Sequence, residues 1–575
     1  MAPHVAPVDP ILDLATWSDL QAAWELPAPV VDADPAEQAR LACTAWSTAL
    51  GAEHVVVSAD VLARYGRSTG GEVEDRRPLA ILYPSTREEV QAVVGIAGRF
   101  RLPLYPISRG RNWGYGDACG ATPGQVIVDL RRMNRIVEVD RELAYCVIEP
   151  GVTQGQLCEY LREHGTGLWI DATGAGQGAS LVGNTLDRGF GHTPYGDHFA
   201  NTCGMEVVLA DGRVLRTGFG HYEDARAARA YRYGVGPVLD GLFSQSGLGI
   251  VTQIGLWLMP EPETFAAFFV RAERDDELAE LIDTLRPLRL NEVLRSAVHI
   301  GNDLRVMSGQ TRYPFERTGG RTPLPGDVRA ELRKEHGVGA WNVCGAFYGT
   351  RETVAAAKAA LRRTIGRRWR VVVLDERRLA QAGKLSHLLG WLGLGDRLKK
   401  QVALGRDVLD VLRGVPTDGA LPGACWRVRG PKPADGAVVD PIEAHAGLLW
   451  VSPVAPATGA AAREVMDIVT PIYEAHGFEA LVTFTMITPR ALCCVTNVSF
   501  DRREADEAAR ATACYDALVL ALMDKGYIPY RTGPRGFPKL ARGSSVFWDV
   551  AKELKAALDP QGIMSPGRYD PLHRG

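Results

Sequence analysis

The chain has 575 residues, with 65 Lys and Arg against 68 Asp and Glu and a formal net charge of −3. That is mass for two or three domains, without the cationic excess that would favour nucleic acid. At 46% hydrophobic and 23% charged residues, the chain can bury a large core, and disorder is excluded for most of it.

The ten cysteines are scattered apart from the pair Cys493-Cys494, with no C-x-x-C pair and no zinc-ligand spacing, so they read as reduced thiols. Met1 to Trp17 shows no basic stretch followed by an apolar run, and no apolar run is long enough to span a bilayer. The expectation is a cytoplasmic protein without a membrane partner.

A leader rich in Ala, Pro and Asp runs to about Ala39. Leu79 to Tyr83 then reads as a short strand, followed by Pro84 and by Ser85-Thr86-Arg87-Glu88, a Ser with a Glu three residues on, which is a helix start. Val90, Val93, Val94, Ala97 and Phe100 recur at the spacing of a buried helical face, and Leu102 to Ile107 reads as a second strand, completing a β-α-β unit. Val126 to Leu130, Ile136 to Val139 and Tyr145 to Glu149 are short strands, and Thr153 to His164 is a helix. Asp211-Gly212 is a two-residue turn between strands Met205 to Ala210 and Arg213 to Thr217. Ile250 to Met259 is a long strand ended by Pro260. The first half is therefore α+β.

From about Glu261 the texture changes to Ala-, Arg- and Leu-rich helices such as Val354 to Ile365, with strands at Arg370 to Leu374 and Leu448 to Pro453, which suggests a second domain. Val546 to Leu558 reads as a last helix before two turn signals, Asp559-Pro560-Gln561-Gly562 and Ser565-Pro566-Gly567.

Two glycine-rich stretches carry the strongest chemical signal. In Ser108-Arg109-Gly110-Arg111-Asn112-Trp113-Gly114-Tyr115-Gly116, three glycines permit positive φ, so that successive N–H groups point into one concavity beside arginine charge, a phosphate cradle. The spacing is that of neither a P-loop nor a nicotinamide-binding fingerprint, and a plain surface turn fits it equally. Gly174 to Ser180, followed by Val182-Gly183-Asn184, would lie flat against a planar ligand, or is simply a flexible loop. Two such loops favour a dinucleotide over a single phosphate.

Those loops, together with Pro106-Ile107-Ser108, Glu149-Pro150-Gly151-Val152-Thr153, Thr193-Pro194-Tyr195-Gly196-Asp197-His198, Gly204 to Leu209, Gly241 to Ser246 and Ser565-Pro566-Gly567, resemble the vanillyl-alcohol oxidase / p-cresol methylhydroxylase flavoproteins. The resemblance runs from about Leu79 to the C-terminus. It implies an α+β fold: a two-subdomain FAD-binding domain of the PCMH type with an α/β cap domain. The implied limits are a leader at 1–60, the FAD-binding domain at 61–262, the cap at 263–515, and a segment at 516–575 returning to the active site.

FAD is the implied cofactor, with Arg109, Gly110, Arg111, Asn112, Trp113 and Gly114 at its pyrophosphate and Gly183, Asn184 and Ile250 lining the flavin. The implied activity is removal of a benzylic hydride from a para-substituted phenol through a quinone methide. Tyr115, Tyr530 and Arg531 match the family's phenolate clamp: two O–H donors and a permanent cation lower a bound phenol's pKa. The bland reading makes Tyr530-Arg531 a packing and salt-bridge pair.

The resemblance fails in three places. No carboxylate stands at Gly174 or Ala175, where family oxidases carry an aspartate beside the flavin, and Asp171 is the nearest acid; either another acid substitutes or the quinone methide has a different fate. His192 takes the place of a family tyrosine, as an acid-base group or as a hydrogen-bonded pocket histidine. A metal bound by His192 and His198 lacks a third ligand nearby in sequence. Leu448 occupies the position that tethers the flavin in many relatives, so the FAD is expected to be non-covalent, with His445 the rescue if the register slips.

Lys384 to Gly395, followed by Arg397, Lys399 and Lys400, reads either as an amphipathic patch for a membrane or partner or as a cap segment. The resemblance also implies a homodimer, with oxygen or a redox carrier as electron acceptor. The rivals are a same-fold dehydrogenase feeding a cytochrome and a flavin-binding protein without redox turnover.

Overall fold

A computed structural model describes residues 34–71, 76–375, 406–430, 438–543 and 545–572; the stretch from Lys384 to Gly395 lies outside them. Strands Ile81–Leu82, Leu104–Ile107 and Val126–Asp129 are the parallel part of a four-stranded sheet, which Val55–Val56 extends antiparallel to Ile81–Leu82. Val126–Asp129 lies between the other two parallel strands, so the two strands of the expected β-α-β unit are not neighbours. The intervening helix is Arg87–Phe100. Its cap is Thr86, one residue beyond the expected Ser85. Thr86 Oγ1 accepts from Glu89 N at 3.1 Å, while the Glu89 carboxylate accepts from Ser85 N at 2.6 Å. The first contact is a side-chain N-cap, and in the second the N3 carboxylate reaches the amide before the cap, not the cap's own as in a capping box.

Helix Pro35–Leu50 falls inside the expected leader, yet it belongs to this layer. Its Trp46 is fully buried and donates Nε1–H to Val93 O at 3.2 Å, and Ala42, Ala45 and Leu50 complete the contact. Composition hides this helix because half of its buried face is alanine.

A five-stranded antiparallel sheet follows, ordered Ile136–Asp140, Tyr145–Ile148, Ile250–Trp257, Thr202–Val208, Val214–Arg216. The hairpin at Asp211-Gly212 is wider than the expected two-residue turn, because pairing ends at Val208 and Val214. Leu209 N then bonds Arg213 O, and Gly212 sits at φ 85°.

The second half is an eight-stranded antiparallel sheet that includes Val298–Asn302, Leu481–Thr488, Ala491–Asp501 and Ala446–Val451 as neighbours. Helices Leu278–Leu290, Gly459–Ala475 and Ala505–Asp524 contribute to the apolar core packed on it. The polar residues of the four strands just named face the other way. Because side chains alternate along a strand, His299, Thr483, Thr485, Val495, Asn497, Leu448 and Trp450 share one face, and all of them line a single large cavity.

The chain's end closes the first layer. Leu104 N bonds Ile563 O at 2.8 Å, Ser565 N bonds Leu104 O at 2.9 Å, and Ile563 and Met564 enter the core around helix Arg87–Phe100. Among the described residues no helix is long and apolar enough to cross a membrane.

Candidate functional site

The cavity has a volume of about 630 Å³ and runs between the two glycine loops and the polar face of the eight-stranded sheet. Its floor is the loop after strand Leu104–Ile107. Gly110 has φ 65°, and a Cβ there would lie 2.6 Å from Ala118 Cβ, so only glycine permits this turn. The amides of residues 109–113 have no acceptor among the described residues. A row of free N–H groups beside Arg109 and Arg111 is the donor set of an anion cradle.

Gly114 departs from the expectation. Its N–H is spent on Thr69 Oγ1 at 2.8 Å, and it does not line the cavity. A side chain there would collide with Trp450, so its task is close packing. Arg109, Gly110, Arg111, Asn112, Trp113, Gly183, Asn184 and Ile250 all line the cavity. The second glycine loop meets the first: a Cβ on Gly178 would strike the Arg111 guanidinium at 2.4 Å, and one on Gly183 would press Ser108 Oγ at 3.1 Å. The cradle and a cavity of this size fit a dinucleotide.

Tyr115, Tyr530 and Arg531 come together on this cavity. Tyr530 N bonds Ser452 O at 3.1 Å, which lays residues 528–531 along the edge of the eight-stranded sheet. Tyr115, buried, shares a hydrogen bond of 2.7 Å with Ser452 Oγ. The Arg531 guanidinium carbon lies 3.8 Å from the Tyr115 ring centroid and 5.9 Å from that of Tyr530. Burial pushes both phenols up and outweighs the opposing pull of Arg531, so both hydroxyls keep their protons at neutral pH. Burial opposes the charge on Arg531, but Tyr530, Tyr115 and Asp187 outweigh it and hold the guanidinium above its ordinary range. Its Nε is buried and makes no hydrogen bond among the described residues.

Asp187, which the sequence did not single out, ties the clamp to the cradle. Its carboxylate accepts from Asn112 Nδ2 and Arg568 Nη2, both at 3.0 Å, and from the Tyr569 hydroxyl at 3.2 Å, and it lies 3.7 Å from Arg531 Nε. Arg568 also donates to Tyr115 O at 3.0 Å.

His192 lines the opposite part of the wall. Its Nδ1 is 3.0 Å from Ala172 O, which makes Nδ1 the donor and leaves Nε2 as an acceptor. Burial lowers its pKa from 6.5, against the nearby Asp171. His299 stands with its ring 4.5 Å from that of His192 and is held by Thr485 Oγ1 at 3.1 Å. Asp171 itself is spent: it accepts from Thr193 N at 2.6 Å and from His192 N, and it pairs with His198 Nε2 at 2.8 Å. His198 also contacts Asn184 Oδ1 at 2.7 Å, so it serves this buried network. The carboxylates among the described lining residues are Asp117 and Asp187. Asp117 accepts from Ser68 Oγ and Thr69 N, each at 2.7 Å, and burial pushes it up to about 6.

Leu448 lines the cavity, whereas His445 is exposed on the preceding turn and does not. Arg305, Ser452, His299, Asp187, Arg568 and Tyr569 were not legible in the sequence, because each is brought to the site by a partner far away in the chain.

The FAD binding domain family matches residues 78–218. The chain is 36% identical to the 1'-carboxy-chondrochloren decarboxylase of Chondromyces crocatus over 92% of this chain and 97% of that one. It is 33% identical to the 4-cresol dehydrogenase [hydroxylating] flavoprotein subunit of Pseudomonas putida, over 90% and 93%. Among solved structures, 4-ethylphenol oxidase from Gulosibacter chungangensis superposes with a TM-score of 0.83 at 29% identity, covering 94% of this chain and 98% of that one. With matches that span nearly the whole length and a cradle built for the cofactor, the chain belongs to the vanillyl-alcohol oxidase / p-cresol methylhydroxylase flavoproteins and is an FAD-dependent oxidoreductase.

Proposed function

We propose that the protein oxidises a para-substituted phenol at its benzylic carbon. The observation that carries this reading is Arg531, a buried cation on the cavity wall set against the rings of two protonated tyrosines. An ionised phenol oxygen is the anion that this cation and the two hydroxyls would hold. Tyr115 and Ser452 share a hydrogen bond in which either hydroxyl can donate; with Ser452 as donor the Tyr115 O–H is free for that oxygen, and Asp187 keeps Arg531 in place. Bound FAD supplies the hydride acceptor. Holding the phenol as its anion pushes electron density through the ring and promotes loss of the benzylic hydride, which gives a quinone methide.

Among the described lining residues no carboxylate is free to activate water, since Asp117 and Asp187 are both engaged. We therefore take the quinone methide to lose a proton from the carbon beyond the benzylic one to His192 Nε2, leaving a 4-vinylphenol, rather than to add water. One relative is named for loss of a carboxyl group, a fate that needs no water. The test is anaerobic. A 4-alkylphenol is expected to bleach the bound flavin while its 3-alkyl isomer leaves it yellow, and product formed in ¹⁸O-water carries no label. Failure of every 4-alkylphenol to bleach removes the proposal, and labelled product removes the non-hydrolytic step.

His192 is the base this reading assigns. Burial keeps its ring neutral below the ordinary histidine range, so Nε2 still accepts a proton at pH 6.5. Turnover should rise with pH through a value below 6.5 and stay level above it. His192→Phe should lose that limb together with roughly 10²-fold or more of kcat. Unchanged turnover in the variant leaves His192 a packing residue.

The flavin is held without a covalent bond in this reading, since Leu448 has no nucleophile and His445 lies off the cavity. Acid precipitation should leave the yellow colour in the supernatant, and colour in the pellet contradicts it.

A further inference from the structure

Arg305 is a cation placed on the cavity wall without a counter-charge among the described residues. It lies in the first turn of helix Asp303–Ser308, whose N-cap Asn302 accepts from the Arg305 amide at 2.9 Å, so the helix start fixes the base of the side chain. The guanidinium reaches under the eight-stranded sheet. Nη2 donates to Asn497 Oδ1 at 2.7 Å and to Leu481 O at 2.8 Å, and the guanidinium carbon lies 5.2 Å from the Trp450 ring centroid. Those contacts occupy one nitrogen and orient the plane. Nε and Nη1 make no hydrogen bond among the described residues, and Arg305 lines the cavity.

The other arginines in buried positions set the contrast. Arg427 meets Glu479 and Glu507, and Arg568 and Arg531 meet Asp187. Arg289 satisfies itself on the carbonyls of Leu294, Arg295 and Ile487. Arg305 has no carboxylate within ion-pair distance among the described residues, and its open edge faces the place where substrate would lie. Burial pulls its guanidinium down to about 10, which still leaves it charged at neutral pH. A buried, fixed guanidinium whose Nε–H and Nη1–H are unpaired among the described residues can give a carboxylate oxygen a charge-assisted hydrogen bond.

Trp450 links the two cationic regions. Its ring stacks with Tyr115 at 6.3 Å and 12°, and Tyr115 in turn carries Arg531. A phenol held at Tyr115 and Arg531 thus has Trp450 as a neighbour, and Arg305 flanks that tryptophan.

We propose that Arg305 receives a carboxylate carried on the para side chain of the phenolic substrate. This rests on the phenol reading of the same site and narrows the substrate class to 4-hydroxyphenyl compounds with an anionic tail. The experiment measures binding without turnover, by calorimetry on flavin-loaded enzyme reduced beforehand with dithionite. The probes are 3-(4-hydroxyphenyl)propanoate, its primary amide and 4-propylphenol. The expected result is that the carboxylate binds roughly 10- to 100-fold more tightly than the amide of the same shape, the range of a charge-assisted hydrogen-bonded pair.

In Arg305→Met that ratio should fall to near one, and Arg305→Lys should keep part of it. Circular dichroism and flavin content report whether each variant is folded and loaded. A ratio near one in the unaltered enzyme overturns the proposal. So does a ratio that survives in Arg305→Met, or loss of flavin from the variant with the carboxylate preference intact, which would assign Arg305 to the cofactor. Binding of 4-propylphenol without any carboxylate preference sinks the Arg305 assignment alone. Absence of binding by all three probes sinks the phenol reading and the assignment together.

Discussion

Arg531→Met is expected to lower kcat/KM for a 4-alkylphenol by about 10²- to 10³-fold, the kinetic equivalent of losing one partner of a buried charged pair at roughly 3–5 kcal/mol. The effect has two parts. The variant loses the cation that stabilises the phenolate, and Asp187 keeps only Arg568, Tyr569 and Asn112 as partners. The pH dependence separates these parts. With Arg531 present, a bound phenol ionises below its free value, so the rate at neutral pH is close to its plateau. Without it, the rate should climb toward pH 10, near the ordinary pKa of a phenol. Arg531→Lys keeps charge but loses the planar fork and should fall between. Tyr530→Phe removes one O–H donor and should cost about tenfold. Steady-state kinetics from pH 6 to about 10.5 on the three variants checks the order. A flat profile for Arg531→Met at unchanged kcat/KM would reduce Tyr530-Arg531 to a packing pair.

The second large effect concerns the chain's end. Lys555 is 1% exposed, and its ammonium donates to Gly247 O at 2.7 Å, Met564 O at 2.6 Å and Asp559 Oδ2 at 2.7 Å. Asp559, also 1% exposed, accepts in addition from Ile563 N and Met564 N. This node pins the segment that lies along strand Leu104–Ile107 and delivers Ser565, Arg568 and Tyr569 to the cavity. Lys555→Met strands a buried carboxylate and two carbonyls, and should cost roughly 3–5 kcal/mol. Removing the charge on Asp559 as well, in Lys555→Met with Asp559→Leu, should not restore stability, because the amides of Ile563 and Met564 and the carbonyls of Gly247 and Met564 still lack partners. Denaturant unfolding, read through the first transition, together with proteolysis near residue 560, measures this. A variant as resistant as the parent would show the node to be dispensable.

Local pattern carried far into the structure. Helix Val546–Leu558 and strand Arg370–Leu374 form where periodicity puts them. The helix after Pro84 starts one residue late only because two overlapping Ser/Thr-Glu pairs offer the same cap and the second one is used. The Pro35–Leu50 helix escaped notice because alanine gives burial without a visible hydrophobic stripe. The glycine loops were readable as an anion cradle, although Gly114 proved to be a packing glycine whose N–H is already taken.

The charges behaved differently. Tyr115, Tyr530 and Arg531 were found through resemblance, and the contacts that orient Tyr115 and Arg531 come from Ser452 and Arg568 for the first and Asp187 for the second, each hundreds of residues away in the chain. Asp171 looked like the nearest catalytic acid and is consumed by the turn at His192 and Thr193. Arg305 looks in sequence like any helical arginine.

Sequence alone determined the elements, the cofactor loops and the family, because hydrophobic period, capping and glycine conformation act over a few residues. Which ionic groups are neutralised and which remain open to a ligand was decided only when the eight-stranded sheet came to lie against the flavin-binding layer. Electrostatic pairing depends on distances through space that no spacing along the chain encodes.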